Sequence, residues 1–213
     1  MHEIDTTLKK IDDAVEFLTE KLFGSIDFAV VLGTGLGHLV DGVRIVQSIE
    51  YSKIPGFPLS TAPMHKGEII LGELSGARII FLNGRHHLYE GWSAAEVVIP
   101  IRVMGGLGIK NLIITNAAGA LNKNYKPGDI MVISDHINMT GQNPLIGPHY
   151  DRLGLRFPDM SEPYDKKLRA LARVYFDKYN IIYKEGIYVA VSGPSLETSA
   201  ERRFLSCTGA DAV

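Results

Sequence analysis

The sequence predicts an α/β fold: a mixed, largely parallel central sheet flanked by helices. Three observations point there. Short continuous apolar runs, such as Phe28 to Leu32 and Ala77 to Leu82, have the length and character of strands covered on both faces. Segments with apolar residues at three- and four-residue steps alternate with these runs along the chain, as strand–helix alternation requires. Glycine-rich or polar loops follow the apolar runs directly, and open α/β sheets place their ligands at the carboxyl ends of strands.

Taken in order, Leu8, Ile11, Val15, Leu18 and Leu22 form an amphipathic first helix that ends near Gly24. Phe28 to Leu32 is the first strand. Glu68 to Leu74 and Ala77 to Leu82 read as two strands joined in a hairpin at Ser75-Gly76. Ser93 with Glu96 is a capping box opening a helix through Met104, which stops among Gly105, Gly106 and Gly108; Pro100 is expected to kink it. Leu112 to Thr115 and Ile130 to Ser134 are the next strands. Gln142 to Asp159 is rich in Pro and Gly without a period, and its length suggests a functional lid or interface loop. Ser161 is expected to cap a helix whose apolar face is Tyr164, Leu168, Leu171 and Tyr175. Ile187 to Val191 is a further strand, and Thr198 with Glu201 opens a helix ending at Gly209. No internal repeat divides the chain, so residues 1–213 are expected to be a single domain.

Composition bounds the function. A hydrophobic content of 46% over 213 residues suffices for a substantial core. A formal charge of −2 argues against nucleic acid or an anionic membrane as the main partner. The single cysteine, Cys207, excludes an intrachain disulfide and points to the cytoplasm. Neither a signal peptide nor a membrane span is legible. The histidines show no paired ligand spacing, so no metal is expected, and no nucleophile elbow of a serine hydrolase occurs.

Several clusters carry chemistry. Asn83 to Trp92 follows the Ala77–Leu82 run and holds Arg85, His87, Tyr89 and Glu90 between Gly84 and Gly91. Arg85 offers a planar fork to an oxyanion, His87 can donate or shuttle a proton, Glu90 can orient it and Tyr89 can reach a sugar hydroxyl. A polar surface loop is the plainer reading, and His86, facing away from His87, reads as structural. Gly33-Thr34-Gly35-Leu36-Gly37 lets backbone amides and the Thr34 hydroxyl converge on an anion. His38 stands where a dinucleotide fingerprint needs glycine, which favours an isolated phosphate and weighs against a dinucleotide oxidoreductase; a structural glycine turn remains open. Asn116-Ala117-Ala118-Gly119 suits either backbone approach to a ligand or a tight turn. Glu197, in the loop before Thr198, can accept from a heterocycle's N–H groups or can favour the helix amino end. His65 is a loop histidine, more often a surface residue than a catalyst when taken alone.

Together these motifs resemble the trimeric purine nucleoside phosphorylase family. The resemblance runs from the first helix to Val213. It rests on Gly33-Thr34-Gly35-Leu36-Gly37, Arg85 to Gly91, Thr115-Asn116-Ala117-Ala118-Gly119, Gly141-Gln142-Asn143-Pro144-Leu145 and Gly193-Pro194 with Glu197-Thr198, in the family's order. It implies phosphorolysis of 6-oxopurine ribonucleosides to free purine and ribose 1-phosphate, with inorganic phosphate as co-substrate and no cofactor. It implies that Thr34, Arg85, His87 and the Ala117 backbone bind phosphate, with Glu90 supporting His87 in catalysis. His65 and Tyr89 would serve the ribose, and Ala118, Gly119, Leu196 and Glu197 the base. Phe157 would lean into a neighbouring subunit of a homotrimer or rearranged homo-oligomer.

Two departures stand out. Leu196 replaces the aromatic residue the family usually stacks on the purine, which should cost about 0.5–1.5 kcal/mol of base affinity. The family's chain also continues past the equivalent of Val213 through a strand–helix–strand portion. That portion carries a further phosphate hydroxyl, a ribose-contacting methionine, the asparagine for purine N7 and a histidine for the 5′ hydroxyl. The expectation is therefore a carboxyl-terminally incomplete domain, either part of a longer enzyme or a truncated, weak or inactive homologue that binds phosphate or a partner. A methylthioadenosine phosphorylase of the same fold is the near alternative, which Glu197 and Asn116-Ala117-Ala118-Gly119 weigh against.

Overall fold

The computed structural model describes residues 2–58 and 67–213, and the chain divides into two units. The first comprises residues 1–117 and 143–149, the second residues 118–142 and 150–213.

In the first unit, helix α1 (His2–Lys21) leads to β1 (Phe28–Leu32), β2 (Arg44–Glu50), β3 (Glu68–Leu74) and β4 (Ala77–Asn83). Short helices α2 (Ala94–Val97) and α3 (Ile99–Gly106) follow, then β5 (Leu112–Ile114). The strands form one mixed sheet in the order β2-β3-β4-β1-β5. β1 runs parallel to both β4 and β5, whereas β2-β3 and β3-β4 pair antiparallel. The β3-β4 connection is a two-residue turn with positive φ at both Ser75 (51°) and Gly76 (84°). That is the backbone twist a tight hairpin needs.

On one face of the sheet, Leu32, Val40, Val43, Ile70, Ile79 and Phe81 form a buried cluster. α1 and α3 pack on one another, with Ile11, Ala14, Leu18 and Val103 buried. The expected helix from Ser93 to Met104 is present but interrupted. Ser93 accepts the Glu96 amide and caps α2, the helix breaks at Val98, and Pro100 sits in the first turn of α3. There its missing N–H costs nothing. β2 has no counterpart among the sequence expectations. It lies at the sheet edge with all but two of its residues exposed, so it carries no apolar run.

In the second unit, β6 (Ile130–Asn138) and β7 (Tyr183–Ala190) pair in parallel, with α4 (Lys166–Lys178) between them in sequence and α5 (Ser199–Cys207) after. Both strands are longer than expected at one end: β6 continues past Ser134 through a register irregularity at Ile133/Asp135, and β7 begins at Tyr183. Val189, Leu205 and Ala210 are buried together, with Ile137 and Ile187 packed against them.

The cap of α4 is a correction. Ser161 bonds instead to Asp159, and the Asp165 carboxylate accepts the Lys167 and Leu168 amides. The Asp165 carboxylate satisfies two terminal N–H groups at once, a cap whose removal typically costs about 1 kcal/mol, while the Ser161 hydroxyl is already spent on Asp159. The expected apolar face of α4 is largely exposed, Leu171 at 52% and Tyr175 at 49%. α5 opens on the expected Thr198–Glu201 box, and Gly209 follows it at φ 87°. Asp211 ties this end to β7 and to the 119–122 segment. Its carboxylate accepts the Ile187 amide and the Asn122 side chain, and its carbonyl accepts the Leu121 amide.

Among the described residues no helix is long and apolar enough to cross a membrane, and no group of three or more His, Cys, Asp or Glu side chains could hold a metal.

Candidate functional site: a phosphate-type cradle and a carboxylate pocket

The register of the first unit puts the ends of three neighbouring parallel strands side by side: Leu32 lies opposite Asn83 and Val31 opposite Ile114. The loops leaving β4, β1 and β5 therefore emerge from one edge. They are Arg85–Gly91, Gly33–Gly37 and Thr115–Ala117, the edge at which α/β sheets bind ligands.

Thr115 knits the three together. Its hydroxyl accepts the Gly33 amide at 2.9 Å and donates to the Val31 carbonyl at 2.9 Å, while its own carbonyl accepts Arg85 Nη1 at 3.4 Å. The approach is so close that a Cβ on Gly33 would lie 2.6 Å from the Thr115 oxygen and 2.7 Å from Asn116 Cα. Gly33 is therefore required by the approach of two loops. Gly35, at φ 81° with open space around it, is required by backbone conformation.

Arg85, His87 and Glu90 form a chain of contacts. Glu90 Oε1 accepts both the His87 amide (2.9 Å) and Nδ1 (2.7 Å), and Arg85 Nε donates to His87 Nε2 (3.3 Å). The Glu90 side chain is only 4% exposed, so its charge is held in place by these donors. The pattern assigns the His87 proton to Nδ1 and leaves Nε2 as an acceptor beside the guanidinium. Tyr89 stacks on His87 with centroids 4.6 Å apart and remains half exposed. Thr34 is half-buried in its glycine loop. His86 points away into the core, 3% exposed between Tyr51 and Trp92, in agreement with a structural residue. His65 lies outside the described residues.

In the second unit, the loop before α5 borders a cavity of about 280 Å³ lined by Met139, Val191, Leu196, Glu197 and Phe204. The helix amino end is capped by Thr198 and Glu201, whose carboxylate accepts the Thr198 amide at 2.6 Å. Glu197 is thus not consumed in capping and faces the cavity half-buried. Leu196 is 88% exposed beside it. Ala118 and Gly119 belong to the same unit, where Gly119 exchanges backbone hydrogen bonds with Val213 at 2.7 and 2.9 Å. Phe157 is 87% exposed on its loop, with the Arg156 guanidinium 5.9 Å from the ring centre.

The sequence reading assigns no role to Thr115, Tyr51 or Glu68. Thr115 enters the sequence reading only as the last residue of an apolar run and the first of the Thr115–Gly119 motif, with no role of its own. Glu68, which accepts the Asn83 carboxamide at 2.9 Å, and Tyr51, which donates to the Gly84 carbonyl at 2.7 Å, act across the sheet, where only register reveals a partner.

The sheet is of the open α/β class, with a glycine-rich loop, an arginine-bearing loop and the Thr115–Ala117 segment gathered at one carboxyl edge, where such sheets place their ligands. Residues 27–213 match the model of the phosphorylase superfamily, and the chain belongs to that family. It is 49% identical over 203 residues to purine nucleoside phosphorylase 1 of Geobacillus stearothermophilus, covering 95% of this chain and 74% of that enzyme. It is 47% identical over 204 residues to purine nucleoside phosphorylase 1 of Bacillus subtilis (strain 168), covering 96% and 75%, and 42% identical over 212 residues to the Bos taurus purine nucleoside phosphorylase, covering 97% and 73%.

Proposed function

We infer that the protein is a purine nucleoside phosphorylase of purine salvage, transferring the ribosyl group of a purine nucleoside to inorganic phosphate. The observation that carries the reading is the Arg85–His87–Glu90 chain, joined through Thr115 to the Gly33 loop. It presents a planar cation, an imidazole and backbone amides at one strand edge, a donor set suited to a tetrahedral oxyanion.

In this reading Thr34, Arg85, His87 and the Ala117 amide hold phosphate for attack on C1′, His65 and Tyr89 serve the ribose, and Glu90 keeps His87 in its tautomer. The glycosidic bond breaks through an oxocarbenium-like state, so positioning and electrostatic stabilisation supply most of the catalysis. Glu197, with Ala118, Gly119 and Leu196, recognises the base. A carboxylate accepts from a ring N1–H, which guanine and hypoxanthine carry and adenine lacks, so 6-oxopurines are the preferred leaving groups. Phosphate is the co-substrate and no cofactor takes part. The single exposed thiol, Cys207, fits a reducing cytoplasm. Exposed Phe157 fits a homotrimer in which this ring reaches a neighbour's site.

The test is a nucleoside panel in phosphate buffer with ribose 1-phosphate measured as product. Inosine and guanosine are expected to turn over, with adenosine and methylthioadenosine far behind. Preference for methylthioadenosine would move the protein to the neighbouring phosphorylase class. Phosphate binding with no turnover of any nucleoside would mark an inactive homologue.

A further inference from the structure

We infer that Tyr51 is a positioning residue for the anion-binding pair: its phenol fixes the Gly84 carbonyl at the root of the Arg85–His87 loop and so sets phosphate affinity. The inference deepens the phosphorolysis reading and rests on it.

Gly84 is where the chain leaves β4, and its φ of 124° is open to glycine alone. Such a residue has no side chain to lock its own geometry, so the direction of the following segment has to be imposed from outside. Tyr51 imposes it. The residue is 2% exposed, in a single 3-10 turn (Tyr51–Lys53) just after β2, and its hydroxyl donates to the Gly84 oxygen at 2.7 Å. Because the Gly84–Arg85 peptide is planar, fixing that oxygen also fixes the plane that carries the Arg85 amide.

A second contact comes from the same residue. The Tyr51 amide donates to the Gly67 carbonyl at 2.7 Å, and the Gly67 amide donates to the Asn83 carbonyl at 3.0 Å. Tyr51 therefore holds the exit of β4 through both its side chain and its backbone. The Asn83 carboxamide, 6% exposed, is in turn anchored on Glu68. Burial, with the Glu68 charge adding, pushes the phenol far above its ordinary pKa, so the proton stays in place and the hydroxyl remains a donor. The ring itself packs on Phe57 and His86, with centroids at 5.3 and 5.7 Å. Ring packing and hydroxyl clamp are thus separable by substitution.

The test is Tyr51→Phe, with Phe57→Leu as a control that loosens the same packing and leaves the hydroxyl in place. Phosphate is titrated in two ways: against inosine turnover, and by calorimetry with inorganic phosphate alone. Loss of the clamp is expected to raise the phosphate KM and Kd about tenfold, since small displacements of positioned groups are costly. The inosine KM should stay within about twofold and kcat should fall less than the phosphate affinity does; Phe57→Leu should leave the phosphate constants near wild type. Unchanged phosphate constants in Tyr51→Phe, equal changes in both substrates, an equal effect of Phe57→Leu, or a Tyr51→Phe chain that does not fold would each overturn the proposal. Absence of turnover by the wild-type protein would instead sink the phosphorolysis reading, and the calorimetric comparison would still judge Tyr51.

Discussion

Single residues here do their work through the atoms they leave available after their structural bonds are made. Glu90 uses one carboxylate oxygen to hold both the amide and Nδ1 of His87, which turns the ring's other nitrogen toward Arg85. Glu201 takes the capping duty of its helix, which leaves Glu197 for the cavity. Local sequence leaves Glu197 a choice between a ligand and the helix amino end, and its place on the cavity wall favours the first. It also makes a test: Glu197→Gln exchanges an acceptor for a group that can donate. The inosine-to-adenosine ratio of kcat/KM should fall by about ten- to a hundredfold, the scale of one or two hydrogen bonds to a charged partner. An unchanged ratio would remove Glu197 from base recognition. The bonding roles of Thr115 and Tyr51 are illegible in sequence for a different reason. Their partners lie 82 and 33 residues away in the chain, so nothing in their neighbourhood marks those bonds.

Elements were legible where the chain carries a strong local signal. β1 occupies the full Phe28–Leu32 run, the β3-β4 hairpin turns at Ser75-Gly76, and both capping boxes are formed. Each of these rests on a short-range rule: a continuous apolar run, a two-residue turn with positive φ, or a hydroxyl and carboxylate three residues apart. β2 was missed because an exposed edge strand needs no apolar run. Ser161 marks the start of α4 four residues early, because the carboxylate of Asp165, after Pro163 and Tyr164, takes the cap. The loops of the candidate site were the easiest part to see. They follow buried runs directly, and glycine and arginine contrast sharply with the apolar residues before them. What joins those loops was invisible until the parallel register aligned Leu32 with Asn83 and Val31 with Ile114.

At the scale of the molecule, the phosphorylase superfamily match from residue 27 to 213 spans both units. The phosphate-type donors belong to the first unit and the Glu197 cavity to the second. The trimer proposed from Phe157 is a solution property. Light scattering should give about three times the 23.4 kDa chain mass, and a folded monomer that turns over inosine would remove the ring's assigned role. The central claim, that Arg85 and its partners hold phosphate for the reaction, is tested most directly by the phosphate dependence of inosine cleavage in wild type and Arg85→Ala. The account predicts saturable, phosphate-dependent release of hypoxanthine by the wild type, with kcat/KM for phosphate lowered about a hundredfold or more in a variant that melts normally. An Arg85→Ala protein with wild-type phosphate dependence would contradict it.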